Sequence, residues 1–371
     1  MGIDQAGRAI NHPNATKGYI VTVNGVPLTP ELKAAMTGLT IQQEINQPAM
    51  FVMRFEVANT ESALAVGTVS NIFFNRLKPG FTVSITLSGE IGVQPILVGF
   101  ITAIEPEFSD ETFVEVRGFD NMHRMRFGTQ NRSFQMVRDS DLVTLVAGEA
   151  GVPAVATPTT TLHKYVLQNN QSNYEFLLER ACRLGWEMVM EGPAMQFRPP
   201  EQVPNVEALN ALLSYSDNLY SFSASLSVPT EGQIVTARAH DLQTNVTSIG
   251  LAPGASSAAS GASAGPGVTV LGGPTAGFPD SSTSIRDEPV ATILEAEEIA
   301  KGRRDEVVRN FITGRGEASG NPLVQPGKYV RIDNVGSVFG GTYYVTAATH
   351  HFGSGYSTKF ECRKESIGLG V

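Results

Sequence analysis

One β-rich stretch occurs twice in this chain, and the duplication limits the fold more than any other feature. The first copy runs Lys78-Pro79-Gly80-Phe81-Thr82-Val83, then Val98-Gly99-Phe100-Ile101-Thr102-Ala103-Ile104, then Thr112-Phe113-Val114-Glu115-Val116-Arg117. The second runs Gln325-Pro326-Gly327-Lys328-Tyr329-Val330, then Gly341-Thr342-Tyr343-Tyr344-Val345-Thr346-Ala347-Ala348, then Thr358-Lys359-Phe360-Glu361-Cys362-Arg363. The copies are 247 residues apart at Pro-Gly, 244 at Thr-Ala and 246 at Thr-x-x-Glu-x-Arg. Hairpin loops of different length between the same strands give drifts of that size. Three matches in order at nearly one offset read as two copies of one β unit; the alternative is unrelated strands bounded by ordinary turns. Pro79 on Pro326 and Arg117 on Arg363 are the expected equivalences.

The local chemistry is that of strands. Pro fixes φ and Gly supplies the left-handed conformer that a tight turn uses. Phe81, Val83, Ile85 and Leu87 alternate with Thr82, Ser84 and Thr86, the period-2 pattern of a strand with one buried face. At 371 residues the chain exceeds one small core. Its 17% charged content, 37 Gly and 21 Pro fit a turn-rich β protein, or one whose surface is covered by partners. The net charge of −9 argues against a nucleic-acid binder that works by neutralising phosphate. Cys182 and Cys362 form no disulfide framework and are expected as reduced core residues. Met1 to Gln5 lack a basic region followed by an apolar one, so no signal peptide is expected, and no apolar run approaches the ~20 residues of a membrane span.

Along the chain, residues 1–16 read as a flexible arm. Strands follow at Tyr19 to Val23, Leu39 to Ile45 and Met50 to Val57, with a hairpin turn at Asn24-Gly25. Asp139-Ser140-Asp141 opens a helix that stops at Gly151. Ser172 and Glu175 form a capping box, Tyr174, Leu177, Leu178 and Ala181 share one face, and Gly185 ends that helix. Trp186 to Met190 and Met195 to Phe197 read as a hairpin. Residues 214–245 return to strand character. Between Ala252 and Ser284 the sequence collapses to Gly, Ser, Ala, Pro and Thr, a linker. Thr292 and Glu295 then cap a helix expected to stop at Gly314.

No constellation carries chemistry. Gly261-Ala262-Ser263-Ala264-Gly265 matches a nucleophile elbow in letters, but it lies in the linker without the flanking strand and helix. Gly314-Arg315-Gly316 lacks its third Gly, which comes one residue late at Gly320, and it follows a helix. His350 and His351 are adjacent in a strand and point to opposite faces. His12, His123, His163 and His240 have no Cys or carboxylate at ligand spacing. Glu105-Pro106-Glu107 and Glu295-Glu297-Glu298 read as solvated charge. Catalytic, cofactor-binding and metal-binding residues are therefore expected to be absent.

The order of these pieces resembles the hub proteins of contractile tails: the phage late control protein D group, and the hub half of type VI and extracellular injection-system spike proteins. The likeness rests on three stretches: Gly99 to Ile104 with Val114 to Asp120; Leu167 to Ala181 with Gly185-Trp186; and Asn321 to Gly327 with Gly341 to Val345 and His350. The resemblance implies a mainly β chain with an α+β insertion, in which two tandem tail-tube-like β-barrels flank a small α+β domain. The expected division is arm 1–16; first barrel 17–127; α+β domain 128–213; second, discontinuous barrel 214–245 and 317–371; linker 246–286; helix and connection 287–316.

The implied function is that of a structural, non-enzymatic baseplate hub in a contractile phage tail or related injection system. A homotrimer with two barrels per chain gives six quasi-equivalent positions between a sixfold tail tube and a threefold spike. The implied partners are the tail-tube protein on one side and a spike protein on the other, with contacts to baseplate wedge or tape-measure proteins. DNA or cargo would pass a channel without specific binding, and no stable membrane insertion is implied. Because the given chain stops at Val371, straight after the second copy, the spike is expected as a separate polypeptide. The expected location is the virion tail baseplate or an injection-system particle, assembled in the bacterial cytoplasm. The alternatives are a tail-tip hub of a non-contractile phage, or a tail-associated peptidoglycan hydrolase.

Overall fold

A computed structural model describes residues 18–57, 76–89, 92–108, 112–201, 211–226, 234–241, 246–252, 282–285, 290, 292–310 and 312–364. The chain starts with β1 (Gly18–Val23) and β2 (Val26–Pro27), turned at Asn24 and Gly25, which both take positive φ. Thr29 caps the short α1 (Pro30–Ala35) by accepting the Leu32 N–H. Then come β3 (Met36–Glu44), β4 (Met50–Val57), β5 (Thr82–Gly89), β6 (Gly92–Glu107) and β7 (Thr112–Asp120). They hydrogen-bond antiparallel in the order β3-β4-β7-β6-β5-β1-β2. Alternation sends Leu39, Ile41, Phe51, Met53, Phe55, Val83, Ile85 and Leu87 into one core, while their neighbours along each strand face outward.

A 3-10 turn (Asn121–Arg126) leads into β8 (Gln130–Val137), α2 (Asp139–Glu149), β9 (Ala154–Ala156), β10 (His163–Gln171), α3 (Asn173–Leu184), β11 (Glu187–Glu191) and β12 (Ala194–Arg198). Two small sheets, β8 with β10 and β9-β12-β11, pack with the helices around a second core that contains Leu142, Phe176, Leu177 and Phe197. The α3 ends follow from the sequence. The Ser172–Glu175 box is made in both directions, and Gly185 closes the helix at φ +65.

The remaining elements are β13 (Leu212–Ser214), β14 (Leu219–Leu226), β15 (Ile234–Asp241), β16 (Val246–Ala252), β17 (Ser282–Ile285), α4 (Ile293–Arg309), β18 (Ile312–Ser319), β19 (Tyr329–Asp333), β20 (Gly341–Phe352) and β21 (Tyr356–Arg363). Pairing runs β14-β18-β21-β20-β19-β13 around a third core that includes Leu219, Val330, Tyr343 and Phe360.

The two β units repeat each other bond for bond. Gly80 N–H donates to Ile101 O at 2.8 Å, and Gly327 N–H donates to Val345 O at 2.9 Å. Phe81 and Lys328 N–H donate to Lys78 and Gln325 O (3.0 and 3.2 Å); Ile101 and Val345 N–H donate to Phe81 and Lys328 O (3.0 and 2.9 Å). Gly80 and Gly327 have φ of +89 and +79, so the same left-handed turn opens both units. Each long strand skips one residue against its hairpin partner: Thr102 between Ile101 and Ala103, and Thr346 between Val345 and Ala347. Strands β3, β4, β7, β6 and β5 thus correspond to β14, β18, β21, β20 and β19. The end strands differ, because β1 is antiparallel to β5 whereas β13 is parallel to β19.

Several expectations need correction. Among the described residues the two β units do not close separately; they join through β3 and β20 into one 13-stranded sheet that stays open. Strand β15 does not enter the second unit. It pairs with β16 and β17, which fall inside the span 246–286 read as linker, to form a separate three-stranded sheet. Alternation gives a strand its period but not its sheet. The last helix stops at Arg309 and Gly314 lies in β18, so the connection is shorter than read. Arg117 and Arg363 lie in equivalent strands but not on the same rung. Arg117 faces Ala103, whose counterpart Ala347 faces Glu361. Cys362 is buried, but Cys182 is exposed, one residue past the buried Ala181. Residues 1–16, Ser263 and the Gly/Ser/Ala stretch around it lie outside the described residues.

Candidate assembly interface

The joint between the repeats is a strand pair. Ala347 to Phe352 of β20 face Glu44 to Leu39 of β3, and Ile45 N–H extends the ladder to Thr346 O at 3.0 Å. Phe352 stacks on Tyr356 at 4.0 Å and meets Tyr19 edge-on at 5.4 Å, so the second unit completes the first unit's core. His350, fully buried, sits opposite Ile41; its Nδ1 lies 3.0 Å from the Tyr356 hydroxyl and 3.2 Å from that of Thr358. Burial pushes its pKa down to about 4, so it is a neutral core imidazole. His351 points the other way, as its neighbouring position demands, and its Nδ1 is 2.9 Å from Thr40 Oγ1.

Both units are clamped onto the α+β part. From the first unit, Asn46 at positive φ takes the Tyr174 hydroxyl on its carbonyl (2.5 Å) and the Met188 N–H on its side chain (2.7 Å). Its own N–H donates to Met188 O at 2.9 Å. From the second unit, Lys328 Nζ reaches Glu191 and Glu201 at 2.7 and 2.9 Å, and the Tyr344 hydroxyl donates to the buried Glu187. At the end of β7, buried Asp120 accepts the Ala49 and Met122 N–H groups at 2.8 and 3.0 Å. Burial pushes its carboxyl up to about 7, although those N–H groups oppose the rise.

Helix α4 docks through charge. Glu295 takes the Arg183 guanidinium at 2.8 Å, and Glu298 takes the hydroxyls of Thr160 and Thr161. His163 lies between carboxylates, with Nε2 2.9 Å from Asp139 and Nδ1 3.4 Å from Glu295; Arg180 also bonds Asp139. Burial works against protonation of His163, but the hydrogen bonds to Asp139 and Glu295 outweigh it and hold the imidazole above its ordinary range. Asp139 is desolvated too, yet His163 and Arg180 keep it below the usual carboxylate range. Asp139 and His163 have the outline of a catalytic dyad. Both ring nitrogens of His163 are engaged within this cluster, Nδ1 facing Glu295 and Nε2 lying 2.9 Å from both Asp139 and the Arg180 guanidinium. Gly302 touches Gly185 where α4 crosses the end of α3; a Cβ on Gly302 would lie 2.5 Å from Leu184 C.

The other singled-out residues fall apart in space. His123 stacks on Phe119 at 4.3 Å, and burial lowers its pKa, helped by Arg126. His240 lies on β15, and His12 is outside the described residues. Arg315 faces outward on β18, held by Glu361 at 3.0 Å, and Glu105 lies 3.2 Å from Arg117. The reading of Glu295-Glu297-Glu298 as solvated charge is corrected at two positions: Glu295 is buried against Arg183 and His163, and Glu298 takes the hydroxyls of Thr160 and Thr161. Among the described residues no three His, Cys, Asp or Glu are grouped to hold a metal, and no helix is long and apolar enough to cross a membrane.

Among the strand edges that meet no strand in the described residues are the outer edge of β14 and the Thr102–Glu107 half of β6 that faces away from β7. The large sheet also has a continuous open face. It carries Glu44, Glu56, Glu105, Glu107, Glu115, Glu317 and Glu361 against Arg54, Arg117, Arg315 and Lys359, seven carboxylates to four cations.

Solved structures share this fold at low identity. The 43 kDa tail protein of prophage MuSo2 from Shewanella oneidensis matches with a TM-score of 0.67 at 10% identity, over 94% of this chain and 98% of that one. A tail protein from Neisseria meningitidis MC58 gives 0.65 at 12%, over 95% and 98%. The E. coli c3393 protein, a component of the type VI secretion system, gives 0.57 at 12%, over 95% and 78%. No curated protein matches the sequence. A family model described as the Alg8 N-terminal domain matches residues 14–353, and the chain belongs to that family.

Proposed function

We propose that this chain is a structural baseplate hub of a phage tail or related injection system: a homotrimeric adaptor between a sixfold tube and a threefold spike. The observation that carries the reading is the repeated β unit, with the same strand order, the same opening turn and the same skipped residue in both copies. A chain with two like units offers two like surfaces, and three such chains offer six. The neighbours in fold are named as tail proteins, and the E. coli protein is described as similar to the T4 tail proteins gp27 and gp5. In this reading the repeats act as two tube-like barrels, completed by neighbouring copies, around the α+β domain. A tail-tube protein binds on one side and a separate spike on the other. The open, net-acidic face of the sheet lines the channel, so DNA or cargo passes without being held. The function is non-enzymatic.

Light scattering on the purified chain should give three times the mass of one chain at high concentration. Electron-microscope averages down the axis should show six lobes around an opening. A monomer at every concentration would overturn the assignment.

A further inference from the structure

We propose that the outer edge of β14 in one copy of this chain adds to the free half of β6 in a second copy, in the register that β3 and β20 use within the chain. The inference rests on the assembly reading above and specifies its contact. Strand β20 pairs along one edge with β21, and along the other with β19 and then β3. Strand β6 is built alike, pairing with β7 on one edge and β5 on the other, but beyond Ile101 that second edge meets no strand among the described residues. Strand β14 corresponds to β3, and its outer edge is likewise without a strand there. Each repeat therefore holds half of a joint that the chain makes once internally.

The skipped residues fix the register. Val345 corresponds to Ile101, and Ile41 corresponds to Ala224 through the rungs Ile41–Phe51–Gly118 and Ala224–Gly314–Cys362. The internal rungs Thr349–Gln42, His350–Ile41 and His351–Thr40 then become Glu105–Ser225, Pro106–Ala224 and Glu107–Ser223 between copies. Phe352 is 7% exposed in the internal joint, whereas Phe108, its counterpart, is 57% exposed. Leu226, which the same register sets opposite Ile104, is 41% exposed. The proposed pairing covers both.

Charge fits as well. Glu107 would lie across Ser223 from Arg315, whose side chain is 79% exposed, with only a serine between them. Pro106 has no N–H and turns its blank position outward. This removes one bond from the ladder, and it also discourages two β6 edges from pairing with each other. The contact is heterologous, so repetition closes a ring where the rotation permits.

The test is register-specific cross-linking of the full chain in a Cys182→Ser background. Glu107→Cys with Ser223→Cys occupies a non-hydrogen-bonded rung, where side chains approach most closely. Oxidation should give covalent multimers on a denaturing gel. Glu107→Cys with Ser221→Cys, two residues out of register, should not. Ala224→Pro removes an N–H that points away from β18, and should weaken self-association about fivefold without lowering the melting temperature. Oligomers by light scattering that neither cross-link at Glu107–Ser223 nor respond to Ala224→Pro would overturn this pairing and leave the hub reading standing. A monomer at all concentrations would overturn both.

Discussion

Replacing Asp120 by Asn should abolish the fall in stability that this carboxyl causes as pH rises. In the folded chain this carboxyl is 2% exposed and caps Ala49 and Met122, and burial raises its pKa from 3.8 to about 7. An acid whose pKa rises on folding binds its proton more tightly in the folded state. Its contribution is complete below the unfolded value and is lost as pH rises through the folded one. Between pH 5 and 8 the loss spans roughly two units, on the order of 3 kcal/mol. Asn cannot titrate, and its amide turns one N–H toward a backbone N–H, a mismatch of about 1–3 kcal/mol that does not vary with pH. At pH 5 the variant should therefore be less stable than the natural chain, and by pH 8 the gap should close or invert. Urea unfolding at pH 5, 6, 7 and 8 reads this directly. Trp186, the single tryptophan, packs on the same core as Met122 and reports it by fluorescence. Other groups cancel in the difference between the two proteins. A gap constant within about 0.5 kcal/mol across this range would show that Asp120 stays ionised on its N–H donors, and the burial argument would be wrong.

Gly302→Ala should destabilise by about 1–3 kcal/mol in urea, because the new methyl meets Leu184 backbone; an isolated helix would instead gain stability from this change. A gain would show that α4 does not cross α3 so closely. His163→Gln should cost most below pH 6, where the raised imidazole is charged in both states, and the deficit should shrink as pH climbs through its folded pKa; thermal melts from pH 5 to 9 check it. Glu56→Arg with Glu317→Arg should slow delivery by assembled particles if the open face lines the channel. Normal delivery would remove electrostatics from the channel account.

The repeat was legible in the sequence because its turns leave marks: Pro-Gly supplies the positive φ at which Gly80 and Gly327 open the two units. Helix α3 was legible for the same reason, with a cap at each end. The rung of Arg117 was not. A strand repeats every two residues, so the Thr-x-x-Glu-x-Arg match slid by one period without changing faces, and only the ladder shows that Glu361 is the true counterpart. The placement of β15 failed likewise, since period does not name a neighbour. The α4 clamp was beyond reach, because Glu295 and Arg183 are 112 residues apart and neither carries a local signal of the other.

The unlike parts of the two units explain how like parts can be used twice. Between β3 and β4 the first unit has a five-residue turn, and its Asn46 grips Tyr174 and Met188. At the corresponding place between β14 and β18 the second unit carries β15, β16, β17 and α4, and α4 grips the same α+β part through Arg183 and His163. The α+β part is thus held by equivalent connections of both repeats, once by a turn and once by an insertion. Strand pairing alone fixes a joint only along its ladder, and sheets twist readily about that line. The two clamps add contacts beyond the β3–β20 ladder, and these restrain the angle between repeats within one chain. A second copy that meets β14 with its β6 then needs to match only one strand edge, because the angle of the next repeat has already been built in.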